Sequence, residues 1–139
     1  MKIHAYLMFD GQCEAAFNYY AQCLGGTLEM MRYADSPEEM EVPAEYQQRI
    51  MHACLKVDDQ LLMASDSLPM HPYEGIKGCS ISLQVGNVPE AERLYAALSA
   101  GGSVQMELQQ TFWATLFAMF TDRFGVSWMI NCEVDSQMG

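Results

Sequence analysis

The side chains with the widest chemical reach in this chain are three histidines, His4, His52 and His71, and five cysteines at positions 13, 23, 54, 79 and 132. Imidazole and thiol groups change protonation or bind metals near neutral pH, so their spacing decides what chemistry is open. His71 lies between Met70 and Pro72 and reads as a solvated loop residue. His4 and His52 fall in segments of alternating polarity, each with an ordinary half-buried reading beside a pocket one. Cys54 shares the parity of His52. The cysteines are odd in number and form no C-x-x-C pair. That argues for reduced thiols in a cytosolic protein rather than a disulfide framework. No G-x-S-x-G elbow, H-E-x-x-H, P-loop or G-x-G-x-x-G occurs.

At 139 residues the chain fits one domain with a real core. Its apolar runs are too short to span a bilayer, and no signal segment is expected at its start. With 18 acidic against 7 basic residues the net charge is −11. A nucleic-acid partner is not expected, because phosphate backbones require clustered Lys and Arg. The acidity suits cationic ligands. Twelve methionines are many for this length, and adaptable core filling accounts for most of them.

The elements that must position these groups begin with Ile3–Phe9, an alternating strand with Ile3, Ala5, Leu7 and Phe9 on one face and His4, Tyr6 and Met8 on the other. Gly11 with Glu14 predicts a weak capping box for a helix that runs to Leu24 and stops at Gly25-Gly26. Thr27–Tyr33 reads as a strand. The acidic segment 34–48 reads as a loop with one helical turn capped by Ser36, and its charge run 35–41 as a solvated stretch or a lid. Ile50–Val57 and Leu61–Ser65 flank Asp58-Asp59-Gln60 as a hairpin, with Asp66 either capping the turn or binding. Residues 67–78 read as a linker.

From Cys79 the pattern restarts. Cys79–Val85 alternates, Asn87 and Glu90 cap a second helix, and that helix ends at Gly101-Gly102. A shift of 76 residues superposes Glu14-Ala15 on Glu90-Ala91, Tyr19 on Tyr95, Gly25-Gly26 on Gly101-Gly102 and Met30 on Met106. The chain therefore reads as two copies of one β-α-β-β-β unit, 1–66 and 79–133, the first enlarged by the acidic loop and the second followed by a tail, 134–139. The second copy ends in the most apolar stretch of the chain. Residues 112–120 read as a strand buried on both sides, and Val126–Cys132 as its hairpin partner, too hydrophobic for a sheet edge.

In each copy one face of the first strand covers the helix. The opposite faces carry His4, Tyr6 and Met8 with His52, Cys54 and Lys56, and Ser80, Ser82 and Gln84 with Ser127, Met129 and Asn131. Two such sheets curling side by side would enclose a cleft, with Trp113 and Phe117, or Phe112 and Leu116, as an aromatic wall. A register error of one residue would exchange these two sets.

The paired modules, E-A-x₃-Y-x₅-GG, His52-Ala53 before the hairpin, Ser65-Asp66, Thr111-Phe112-Trp113 and Trp128-Met129-Ile130-Asn131 resemble the vicinal oxygen chelate superfamily. This is the glyoxalase, bleomycin-resistance and dioxygenase group, and the likeness is greatest to its PhnB-like branch. It covers about residues 3–132. It implies an α+β fold in which two tandem βαβββ modules form a curled mixed sheet around a central cleft. It also implies four metal ligands on the first and last strands of each module. Matched by strand position, these fall on His4, Ser80 and near Met63 and Met129. Divalent zinc, nickel, manganese or iron favours imidazole and carboxylate over thioether, so no metal or other cofactor is expected. A methyltransferase, the name often attached to the branch, is not expected from so small a chain without a nucleotide loop.

The expected protein is a cytoplasmic homodimer that binds a small organic molecule, with exposed strand edges covered by the second copy. The expected ligand contacts are His4, Tyr6, His52, Ser80, Ser82, Trp113, Phe117 and Met129. Two alternatives belong to other classes. One is a metal-dependent lyase or dioxygenase using His4 with acidic ligands such as Asp66 or Glu107. The other is a protein that sequesters a cationic antibiotic through its acidic surface and aromatic wall.

Overall fold

A computed structural model of the chain describes residues 1–35 and 42–133. Ser36, the proposed cap, most of the acidic run 35–41 and the tail 134–139 lie outside them. The elements are β1 (Ala5–Phe9), α1 (Cys13–Leu24), β2 (Thr27–Arg32), β3 (Ile50–Val57), β4 (Gln60–Asp66), β5 (Ile81–Val85), α2 (Val88–Ser99), β6 (Ser103–Gln109), β7 (Leu116–Thr121) and β8 (Ser127–Cys132). Two short 3₁₀ turns, Tyr33–Asp35 and Ala44–Tyr46, lie between β2 and β3. The chain forms two compact units, Met1–Gly75 and Ile76–Gly139.

Both units have the same sheet. The strand orders are β1-β4-β3-β2 and β5-β8-β7-β6. The first and last strands of each unit run parallel, and the other neighbours are antiparallel. The parallel pair requires the helical crossover that α1 and α2 provide. The fold is therefore α+β with tandem βαβββ modules, and neither sheet closes. The most apolar hairpin, β7–β8, occupies interior strand positions, as its composition demands.

The repeat is visible in the register. Ala5 pairs with Leu62 and Ile81 with Trp128, so the offset of 76 on the first strand has fallen to 66 on the last. The first unit's longer connection, from Arg32 to Ile50 against Gln109 to Leu116, accounts for the difference. The second glycine of each GG pair has the same task. A Cβ on Gly26 would lie 2.1 Å from the Lys56 carbonyl oxygen, and one on Gly102 would lie 2.0 Å from that of Thr121. Only glycine lets the strand start that close to its neighbour.

Each sheet buries one face under its helix. In α1 the buried residues are Cys13, Ala16, Phe17, Tyr20 and Cys23, a stripe at helical spacing. Phe17 meets Phe9 of β1 edge-on at 6.2 Å between ring centroids. Each such fully buried aromatic contributes roughly 1.5–3 kcal/mol. In α2 the stripe is Ala91, Leu94 and Leu98, and Tyr95 meets Phe120 of β7 edge-on at 5.9 Å. Trp128, Ile130 and Cys132 of β8 share that buried side.

Two sequence expectations need correction. Residues 112–115 are not strand: β7 starts at Leu116, and Thr111 instead closes a turn by accepting the Ala114 N–H on its hydroxyl at 3.1 Å. Phe112 is 97 % exposed, far from a doubly buried strand position. The cap of α1 is not Gly11 with Glu14. Gln12 holds the N-cap position without a side-chain bond, and Asp66, remote in sequence, accepts the Cys13 N–H of the first turn and the Gly11 N–H just before it. In α2 the expected cap is present, with Asn87 Oδ1 accepting the Glu90 N–H at 2.8 Å.

Candidate functional site

Strand alternation leaves each sheet one face free of its own helix, and the register lays the side chains of that face in rows. In the first unit Tyr6, Met63, Cys54 and Glu29 form one row across β1, β4, β3 and β2. Met8 pairs with Ser65, and His52 with Met31, in the adjacent row. Tyr6 is 47 % exposed and Met8 40 %. The Tyr6 phenol reaches over β4 to His52, and its Oη shares a hydrogen bond of 3.0 Å with Nδ1. The rings tilt at 35° with centroids 5.7 Å apart. Either group donates, depending on the imidazole tautomer, so the pair can pass a proton or present Nε2 outward in a fixed orientation. Ser65 Oγ donates to the Met8 sulfur at 3.4 Å.

In the second unit Ser82, Met129, Met119 and Met106 form one row across β5, β8, β7 and β6. Gln84, Asn131, Phe117 and Gln109 form the next. Asn131 Nδ2 donates to Gln84 Oε1 at 2.9 Å, and Gln84 Nε2 donates to Ser82 Oγ at 3.0 Å. Trp113 lies ahead of β7, yet its ring meets Phe117 edge-on at 5.2 Å and stays 43 % exposed. The pairing of Phe117 with Asn131 puts Phe117 on the open face, and Leu116 is not in its row.

The structure thus places six of the eight expected contact residues on or against these faces: Tyr6 and His52 in the first unit, and Ser82, Trp113, Phe117 and Met129 in the second. His4 and Ser80 stand one residue ahead of β1 and β5, outside the paired strands. Met106 and Met119 are not among the expected contacts, because nothing local announces that β6 and β7 bring them into register with Met129.

Asp66 belongs elsewhere. It is 1 % exposed. Its Oδ1 accepts the N–H groups of Gly11 at 2.9 Å and Cys13 at 3.0 Å, and its Oδ2 that of Ile50 at 2.9 Å. Tyr33 Oη donates to the Asp66 carbonyl oxygen at 3.0 Å. Burial, then the Asp66 carboxylate, pushes the Tyr33 phenol pKa up. Asp66 is a brace for α1 and β3, committed too fully to ligate a metal.

Comparison with known proteins agrees with this geometry. The family described as the Glyoxalase/Bleomycin resistance protein/Dioxygenase superfamily matches residues 2–130. The chain belongs to that superfamily. It is 35% identical to Protein YjdN of Escherichia coli (strain K12) over 140 residues, covering 94% of this chain and 95% of that protein. The crystal structure of protein PA1353 from Pseudomonas aeruginosa is similar at 60% identity and a TM-score of 0.90, covering 97% of this chain and 99% of that one. A PhnB protein from Bacillus cereus, described as a putative 3-demethylubiquinone-9 3-methyltransferase, shares the fold at 23% identity and a TM-score of 0.77, covering 95% and 99%.

The metal-ligand positions that the resemblance implies, His4, Ser80, Met63 and Met129, offer one imidazole, one hydroxyl and two thioethers. Met63 and Met129 occupy the last strands of the two units, side by side with Tyr6 and Ser82. Thioether and neutral hydroxyl are poor donors for divalent zinc or iron. Among the described residues no group of three or more His, Cys, Asp or Glu could hold a metal ion. Also among them, no helix is long and apolar enough to cross a membrane.

Proposed function

We propose that this glyoxalase-superfamily protein binds a small organic molecule on its open sheet faces, in the cytoplasm, as a homodimer and without a divalent metal. The observation that carries the reading is the Tyr6–His52 hydrogen bond on a half-exposed face shared with Met8, Met31 and Met63. A purely structural sheet face would be either apolar and covered or polar and solvated. This one offers a fixed donor-acceptor pair among adaptable thioethers, the mixture that small-molecule sites use. On the second unit, the Ser82–Gln84–Asn131 chain beside Phe117 and Trp113 offers the same mixture of directed polar groups and aromatic surface. Ser80 and His4 stand one residue ahead of β5 and β1. Each sheet also ends in two edge strands, β1 and β2 or β5 and β6, and a second copy would cover such edges.

The test is a small-molecule screen by ligand-observed NMR on the wild type, with each hit measured again on Tyr6→Phe, His52→Ala and Trp113→Ala proteins of unchanged circular dichroism. Hits are expected to weaken at least tenfold in His52→Ala. Thermal shift with zinc, nickel, manganese and ferrous ions is expected to show no stabilisation, against the rise that any ion binding only the folded state produces. Hits indifferent to all three substitutions would overturn the site, and a saturable shift with one of these ions would overturn the metal-free reading.

A further inference from the structure

The donors that make the second sheet unsuited to hard ions suit soft ones. We propose that Met106, Met119 and Met129 form a thioether site for a soft monovalent cation, Cu(I) or its analogue Ag(I). Met106 pairs directly with Met119, and Met119 with Met129, across three adjacent strands. Met119 lies between Ala118 and Phe120, which are buried, and its row ends at Ser82 on the open face. Directly paired residues hold their Cβ atoms roughly 4.5–5.5 Å apart. Three unbranched side chains from such positions can bring their sulfurs together on one ion without moving the backbone.

All three methionines are half-buried, reachable from solvent yet partly shielded from water, which would compete for the ion. The remaining member of the row is Ser82, so the row offers no carboxylate or imidazole to a hard ion, whereas thioether sulfur selects Cu(I). The net charge of −11 raises the local concentration of any cation. The corresponding row of the first unit is Tyr6, Met63, Cys54 and Glu29, with one thioether. Core filling explains a methionine at any one of these positions, but not three in register on the face away from the helix. This inference shares Met129 with the small-molecule reading but does not rest on it, because its ion requires no organic ligand.

The experiment is an Ag(I) titration of full-length protein carrying ¹³C-methyl methionine, in a Cys54→Ser/Cys79→Ser background that removes the accessible thiols. The methyl resonances of Met106, Met119 and Met129 are expected to move together and saturate at one ion per chain. Met119→Leu, close in volume, is expected to weaken binding at least tenfold with circular dichroism unchanged. Met70→Leu, at an exposed position, is expected to leave it as it was. Zinc is expected to move none of the three resonances. Independent midpoints, equal response at Met70, unchanged affinity in Met119→Leu, or the same response to zinc would each overturn the site. The small-molecule reading would survive any of these results, since its decisive variant is His52→Ala.

Discussion

Two buried aspartates each accept from at least three N–H groups, and these lie at very different distances along the chain. Asp122 accepts from Phe124 at 2.8 Å and Val126 at 3.0 Å through Oδ1, and from the Trp128 indole at 2.8 Å through Oδ2, all within six residues. Asp66 accepts from Gly11, Cys13 and Ile50, between 16 and 55 residues away. One carboxylate shapes a turn. The other ties the end of β4 to the start of α1 and the start of β3, so the first unit's helix is capped by a residue remote in sequence. The second unit's helix uses Asn87 next door. Two copies of one fold have solved the same problem, orphan N–H groups at a helix start, once globally and once locally.

The largest effect that would break this contrast is at Asp66. Removing its carboxylate strands three N–H groups, two of them in buried bonds, at about 1–3 kcal/mol each. Asp66→Ala is expected to cost the protein about 3–6 kcal/mol in urea unfolding. Hydrogen exchange is expected to rise at both α1 and β3 in that variant, whereas Asp122→Ala should raise exchange only around the β7–β8 turn. Faster exchange confined to β4 in the Asp66 variant would mean that the brace is a local turn after all.

The same contrast explains what could be read from the sequence. The βαβββ repeat, the cap at Asn87, the glycine stops and the alternation of β1, β3 and β8 are local patterns, and periodicity reveals them. From sequence alone Asp66 reads as either a turn cap or a binding residue, because its partners become neighbours only when β4 pairs with β1 and β3. The Tyr6–His52 bond is of the same kind: parity put both residues on one face, but only the strand order places one above the other. Residues 112–115 failed for another reason. A run of Phe, Trp, Ala and Thr has strand composition, yet the Thr111 hydroxyl bond to the Ala114 N–H favours a turn there. Trp113 nonetheless folds back onto Phe117, so the two rings are in contact.

The next effect isolates the helix start from the side of pH. Burial, then the charges of Asp66 and Glu14, pushes the Cys13 thiol pKa well above its ordinary value of 9.0. The folded chain keeps that proton while the unfolded chain releases it above about pH 9. The unfolded state then binds fewer protons, so stability is full below that pH and is lost as pH rises toward the folded value. Tyr33 and Cys132, also shifted upward mainly by burial, share the alkaline loss. Cys13→Ala is expected to flatten the fall in urea midpoint between about pH 9 and 10.5 relative to wild type. An unchanged slope would show that Cys13 does not carry the alkaline response.

The smallest effect tests the local half of the comparison. Asn87 has the extended backbone of an N-cap, φ −150° and ψ 156°, Pro89 stands within the first turn, and Glu90 adds a favourable charge there. With that support, and with water able to reach the exposed Glu90 N–H, Asn87→Ala is expected to cost about 1 kcal/mol and Asn87→Asp close to nothing. The measurement is the same urea midpoint used for Asp66→Ala. A loss at Asn87 as large as that at Asp66 would mean that reach along the chain has no bearing on what a cap is worth here. A ratio of about three or more would mean that the first unit has made its helix start a condition for pairing β1, β3 and β4, while the second keeps its helix start separable from its sheet.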